Sequence, residues 1–168
     1  MRTVYNHLEY MEEVASLCKD IAHSKPRPRF FKSTGLANLD GLIARLNTAY
    51  FPCLVAENNE DERFSDNVSD NVLSVPFYSF YILLKANPGN DDEIFSARTK
   101  AKEIAKKVVA RMCNDGLNER YGLDLLEYNS IRFLGVGPLG DNGYGVMVSF
   151  SVKQVAGVFY NSNDWMDE

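Results

Sequence analysis

The chain of 168 residues predicts an α+β fold. An antiparallel or mixed sheet of about four or five strands is backed by one long helix over 91–112, with an N-terminal helical segment beside it. Three observations carry this. Ile94, Ala97, Ala101, Ile104, Ala105, Val108 and Met112 recur at three- and four-residue steps, which makes one apolar stripe on a helix. Strand-like runs flank that helix on both sides. Strands clustered in pairs with turn-rich connections favour an antiparallel or mixed sheet over a doubly wound one.

Taken in order, residues 3–22 read as a first helix, with Val4, Leu8, Met11, Ala15, Cys18 and Ile21 on one face. Residues 24–34 read as a basic, proline-rich linker, because Pro26 and Pro28 remove donors and hold their predecessors extended. Leu36, Leu39, Leu42, Ile43 and Leu46 mark a short helix. Tyr50 to Glu57 is a short strand with Pro52 at its start. Asn58 to Asp70 reads as a polar, acidic loop. Val72 to Ala86 is the strongest strand signal, apolar on both parities at its far end and therefore central and covered on two sides. A bend or bulge is expected near Pro76.

The long helix follows. Asn87-Pro88-Gly89-Asn90 opens it and Asn114-Asp115-Gly116 is expected to stop it. Asp91, Asp92 and Glu93 stand at its N-terminus, where the helix dipole favours negative charge. Tyr128 to Val136 and Tyr144 to Val155 read as two strands of a hairpin closed by Pro138 to Gly143. Val158 to Tyr160 reads as a short further edge. Residues 161–168 form an acidic tail in which Trp165 is the one side chain suited to docking. The whole reads as one domain: a helical segment over 1–49, a sheet-plus-helix core over 50–160, and the tail.

The apolar fraction of 45% and charged fraction of 24% suit a soluble globular protein. A net charge of −5 argues against broad nucleic-acid binding. Cys18, Cys53 and Cys113 are widely spaced and read as reduced thiols in a cytosolic-type compartment. No apolar run is long enough to span a bilayer.

No residue pattern announces a chemistry. Gly135 to Gly140 matches G-x-G-x-x-G, but the dinucleotide fingerprint needs a helix to open there, and a strand is expected instead. His7 and His23 lack further ligands at zinc spacing and read as surface histidines. No cysteine has a base at helical spacing. The acidic run Glu57, Glu60, Asp61, Glu62, Asp66, Asp70 lacks the alternation and glycine of a calcium loop. No catalytic residue, metal or cofactor is expected.

A resemblance is carried by YFPCLVAE, then VPFYSFYILLKA, then the amphipathic helix, then YGVMVSFSVKQV. Over about Tyr50 to Val155 this order resembles the tail-terminator or tail-completion proteins of tailed bacteriophages and prophages. The resemblance implies a non-enzymatic protein that assembles into a ring, commonly hexameric, between the tail tube and the neck. It also implies tube and neck proteins as partners, and a place in the virion tail after assembly in the host cytoplasm. The candidate subunit or partner interface is then Glu57, Glu60, Asp61, Phe64, Asp66 and Asp70 on the acidic stretch, with Arg98, Lys102 and Lys106 on the helix. A second reading is a small cytoplasmic nucleic-acid-binding protein using Lys25, Arg27, Arg29 and Lys32, with Phe30 and Phe31 adjoining for stacking. A third, an enzyme built from scattered polar residues, predicts a deep pocket holding a carboxylate of shifted pKa.

Overall fold

Thirteen residues rich in aromatic and branched side chains, Leu73–Lys85, form the strand on which the sheet is laid out. The computed structural model describes residues 4–34, 39–57, 61–65, 72–158, 161, 163 and 166. Its elements are α1 (His7–Leu17), β1 (Phe30–Ser33), α2 (Leu39–Asn47), β2 (Cys53–Glu57), β3 (Glu62–Ser65), β4 (Leu73–Lys85), α3 (Asp91–Leu117), β5 (Arg132–Leu139), β6 (Gly143–Ser151) and β7 (Gln154–Val155). Two short 3-10 turns, Leu123–Leu125 and Tyr128–Ser130, join α3 to β5.

The seven strands make one mixed sheet with the order β1-β2-β4-β6-β5, and β3 and β7 pair with β4 as well. β1 runs parallel to β2, and the other pairs are antiparallel. β4 is long enough to hold two sets of neighbours. Phe77 to Lys85 pair with β6, and Leu83 to Ser79 with β2. Leu73 to Pro76 pair with β3, and Leu73 and Ser74 with β7. The partners change next to Pro76, where the sequence predicts an irregularity. The near end of β4 therefore continues past the five-stranded body as a short three-stranded arm.

Both faces of β4 are covered, as its two apolar parities predict. Tyr78, Phe80 and Ile82, with Val146, Val148 and Phe150 of β6, meet Tyr10, Met11 and Val14 of α1 and the α3 stripe. Ala101, Ala105 and Met112 on that stripe are fully buried. Ala97, Ala101 and Ala105 at the contact let the helix axis lie close to the strands. On the other face, Cys53, Val55, Leu83 and Phe31 take Leu42 and Leu46 of α2. Each large apolar side chain fully buried in these layers contributes about 1.5–3 kcal/mol.

α3 is 27 residues long and passes through its expected stop at Asn114-Asp115-Gly116. Two tertiary contacts override the local signal. Asp115 is buried, and its Oδ2 accepts hydrogen bonds from Arg111 Nε at 2.6 Å and Tyr10 OH at 3.0 Å. Gly116 lies where a Cβ would stand 2.7 Å from the Leu123 carbonyl oxygen, so its missing side chain serves close packing inside the last turn. At the other end the expectation holds. Asn90 Oδ1 accepts from the Glu93 N–H at 3.2 Å, and Glu93 Oε1 accepts from Asn90 Nδ2 at 3.0 Å.

Four expectations need correction. Residues 30–33 of the supposed linker are β1, because Phe30 and Phe31 bury against Leu54 and Val55 on opposite faces of the sheet. Residues 62–65 of the supposed loop are β3. The first helix ends at Leu17, not Ala22, and Ala22 takes a positive φ of 49° in the turn that follows. β5 begins at Arg132 and runs to Leu139, with Tyr128 in a 3-10 turn. Gly135 to Gly140 lies in this hairpin and leads into a strand, as expected. Val158 lies outside any strand, and Phe159, Tyr160 and Trp165 lie outside the described residues.

Candidate assembly surface

The arm places one group of the expected interface residues. Side chains alternate along a strand, so Glu62 and Phe64 share a face of β3. That face is the one that carries Tyr78 further along β4. Phe64 is 60% exposed with the exposed Glu62 on its face, while Asp61, also exposed, stands at the start of the strand on the alternate parity, that of Arg63. The arm is fixed to the sheet from its opposite face: the Arg63 guanidinium stands 5.8 Å from the centre of the Phe77 ring. The Asp61 carbonyl also accepts the Phe77 N–H at 2.9 Å. Glu60, Asp66 and Asp70 lie outside the described residues.

Glu57 is placed differently. At the end of β2 its Oε2 accepts from Ser79 Oγ at 2.8 Å and from Tyr81 OH at 2.9 Å. It ties β2 to β4 within one sheet. Burial, followed by the Glu57 charge, pushes the Tyr81 hydroxyl pKa well up.

The cationic group lies toward the other end of the molecule. Arg98, Lys102 and Lys106 are exposed on α3 at four-residue steps and so share one stripe. Arg98 Nε donates to the Val136 carbonyl of β5 at 3.4 Å. Neither Lys102 nor Lys106 makes an ion pair among the described residues. Phe95, one turn before Arg98 and Thr99, is 75% exposed. Arg111 belongs to a different environment, engaged by Asp115.

Both outer strands are also met by arginines. On β1, Arg45 of α2 donates to the Lys32 carbonyl at 3.0 Å, as Arg98 does to Val136 on β5. Partnered edge carbonyls are weaker templates for a further strand. This leaves the arm and the helix stripe as the more available surfaces.

The basic segment is dispersed. Lys25 and Arg27 are exposed on a tight turn held by the Ser24–Arg27 bridge. The Arg29 guanidinium donates to the Ile21 carbonyl at 2.8 Å, and Lys32 Nζ pairs with Glu12 at 3.1 Å. Phe30 and Phe31 are both in the core, so neither offers a face for stacking a base.

The residues least legible in the sequence are polar and internal. His7 is 3% exposed, not a surface histidine. Its Nε2 donates to the Ser79 carbonyl at 2.8 Å, and its Nδ1 accepts from Tyr5 OH at 3.0 Å, the arrangement that suits a neutral ring. Burial lowers its pKa from 6.5 to about 4. His23 Nδ1 accepts the Arg29 N–H at 3.0 Å and orders the entry to β1. Cys18, Cys53 and Cys113 are free, and burial pushes the Cys53 thiol up to about 12, as befits a small apolar side chain.

An apolar groove of about 340 Å³ is lined by Val4, Leu73, Leu125, Val152 and Val155, together with Lys153. Lys153 Nζ is engaged by Glu127 at 2.9 Å. Among the described residues no group of three or more His, Cys, Asp or Glu side chains is placed to hold a metal ion. No helix among them is long and apolar enough to cross a membrane. No family model matches the chain, and no curated protein or solved structure matches it either.

Proposed function

We propose that the chain is a non-enzymatic structural protein of a phage or prophage tail, of the tail-terminator or tail-completion type. It self-assembles into a ring where the tail tube meets the neck. Its partners are further copies of itself, the tube and the neck or connector proteins, and its final place is the virion tail after assembly in the host cytoplasm. The observation that carries the reading is the arm. Three short strand segments extend beyond the body of the sheet and present an exposed aromatic ring, Phe64, next to the carboxylates of Asp61 and Glu62, which is a surface that gains from burial against another chain. The mixed sheet braced by one long helix agrees with the order of elements that the resemblance rests on.

Imaging tests the assignment. Gold-labelled protein is mixed with tail tubes from its own phage or prophage. Label at one end of each tube is the expected result. Label spread along the walls, or tubes left bare, overturns the assignment to a tail end.

A further inference from the structure

The arm and the helix stripe carry opposite charges, and the fold holds them apart. Phe64 pairs with Ser74 on β4. Arg98 bonds Val136 and packs on Gly135, whose register runs through Val146 to Ile82 on β4. Ser74 and Ile82 are eight residues apart, so the two patches are separated by about 26 Å along the strand. One copy cannot join its own arm to its own stripe.

We infer that the subunit contact is the arm of one copy, through Asp61, Glu62 and Phe64, docked on Phe95, Arg98 and Lys102 of the next. Each patch has an exposed aromatic ring beside charges that complement the other's: Asp61 and Glu62 precede Phe64, with Arg63 turned to the opposite face toward Phe77, and Arg98 and Lys102 follow Phe95, with Asp91 and Asp92 on the turn before it. Rings anchor by burial, while the charges set register and partner. The contact joins unlike patches, so it propagates from copy to copy and closes into a ring where the rotation permits. This deepens the assembly reading and rests on it, but it does not depend on the tail.

Charge reversal tests it, read by sedimentation at low salt. The variants are Asp61→Lys with Glu62→Lys, and Arg98→Glu with Lys102→Glu. All four positions are exposed, and unchanged thermal melting confirms the fold of each variant. Each double reversal is expected to weaken assembly by at least ~10-fold. An equal mixture of the two is expected to restore it, because each altered arm then meets an altered stripe of opposite sign. If neither reversal affects an assembly that the wild-type chain does form, the inference fails while the assembly reading stands. If the mixture does not recover what the reversals lost, the pairing of these two patches fails. A wild-type chain that stays monomeric overturns both.

Discussion

Gly145→Ala is expected to destabilise the protein by about 3 kcal/mol or more, which lowers the melting temperature by roughly 6–12 °C in a chain of this size. Gly145 sits in the middle of β6, opposite Leu83 of β4 and Val136 of β5. A Cβ built there collides with the Ile82 carbonyl oxygen and crowds the Leu83 Cα. These are backbone atoms of the central strand and cannot rotate away as the end of a flexible side chain can. Relief requires β4 and β6 to separate where the α1 and α3 layer packs on Ile82 and Val146. The control is Gly89→Ala in the exposed turn before α3, where a Cβ meets only Asn87 Oδ1 at an ordinary 3.8 Å. Its effect is expected to stay within about 0.5 kcal/mol. Calorimetry of the two variants gives the comparison, and equal melting temperatures would contradict the close β4–β6 approach.

Acid is expected to remove about 3 kcal/mol of stability through His7 alone. The folded pKa is about 4 and the unfolded value 6.5, so the unfolded chain binds the extra proton first. The contribution is therefore complete above pH 6.5 and is lost as pH falls toward 4. The cause is geometric. The ring lies at the first turn of α1, with its centre 5.0 Å from that of Tyr78 and 5.7 Å from that of Phe150, and only 3% of the residue is exposed. Loosening it frees the start of α1 from β4. His7→Gln keeps a donor for Ser79 and an acceptor for Tyr5 but does not titrate. Denaturant unfolding from pH 7 to 4 is expected to show a slope shallower by up to about one proton in the variant. Parallel slopes would contradict the assignment. Should the variant fail to fold, the ring protons of His7 in the wild-type NMR spectrum give the same answer: they should remain at neutral-imidazole shifts down to about pH 5.

The parts of the fold legible in the sequence were those whose periodicity is long. Seven apolar positions over five turns define α3, and the alternation from Tyr144 onward signals β6, although that strand ends at Ser151 and Gln154–Val155 form the separate β7 where one strand to Val155 is expected. The double-sided apolar run of β4 fixed its central place, and the hairpin followed from Pro138 to Gly143. What was missed depends on contacts made far along the chain. Phe30 and Phe31 become a strand only because β2, more than twenty residues later, lies parallel to them. β3 has one large apolar residue in four, Phe64, and that residue faces outward, so nothing in ERFS signals a strand. Asp115 and Gly116 look like a helix stop until Tyr10 and Leu123 are brought to them. His7 resembles any surface histidine until Tyr5 and Ser79 surround it. A weak signal was available there: His7 stands one helical turn before Met11, on a face otherwise apolar.

For the candidate surface, the acidic stretch and the cationic stripe were legible as charge patterns. Their separation along β4 was not, because it follows from the pairing of β3 with the near end of that strand. The placement of Glu57 also needed the sheet register, which sets Ser79 directly opposite it.

Sedimentation velocity on the unaltered chain, across a wide concentration range at low and at high salt, tests the central claim most directly. A closed oligomer that forms at low salt and weakens as salt screens the arm from the stripe is the predicted result. A single monomer boundary at every concentration and both salts would contradict it.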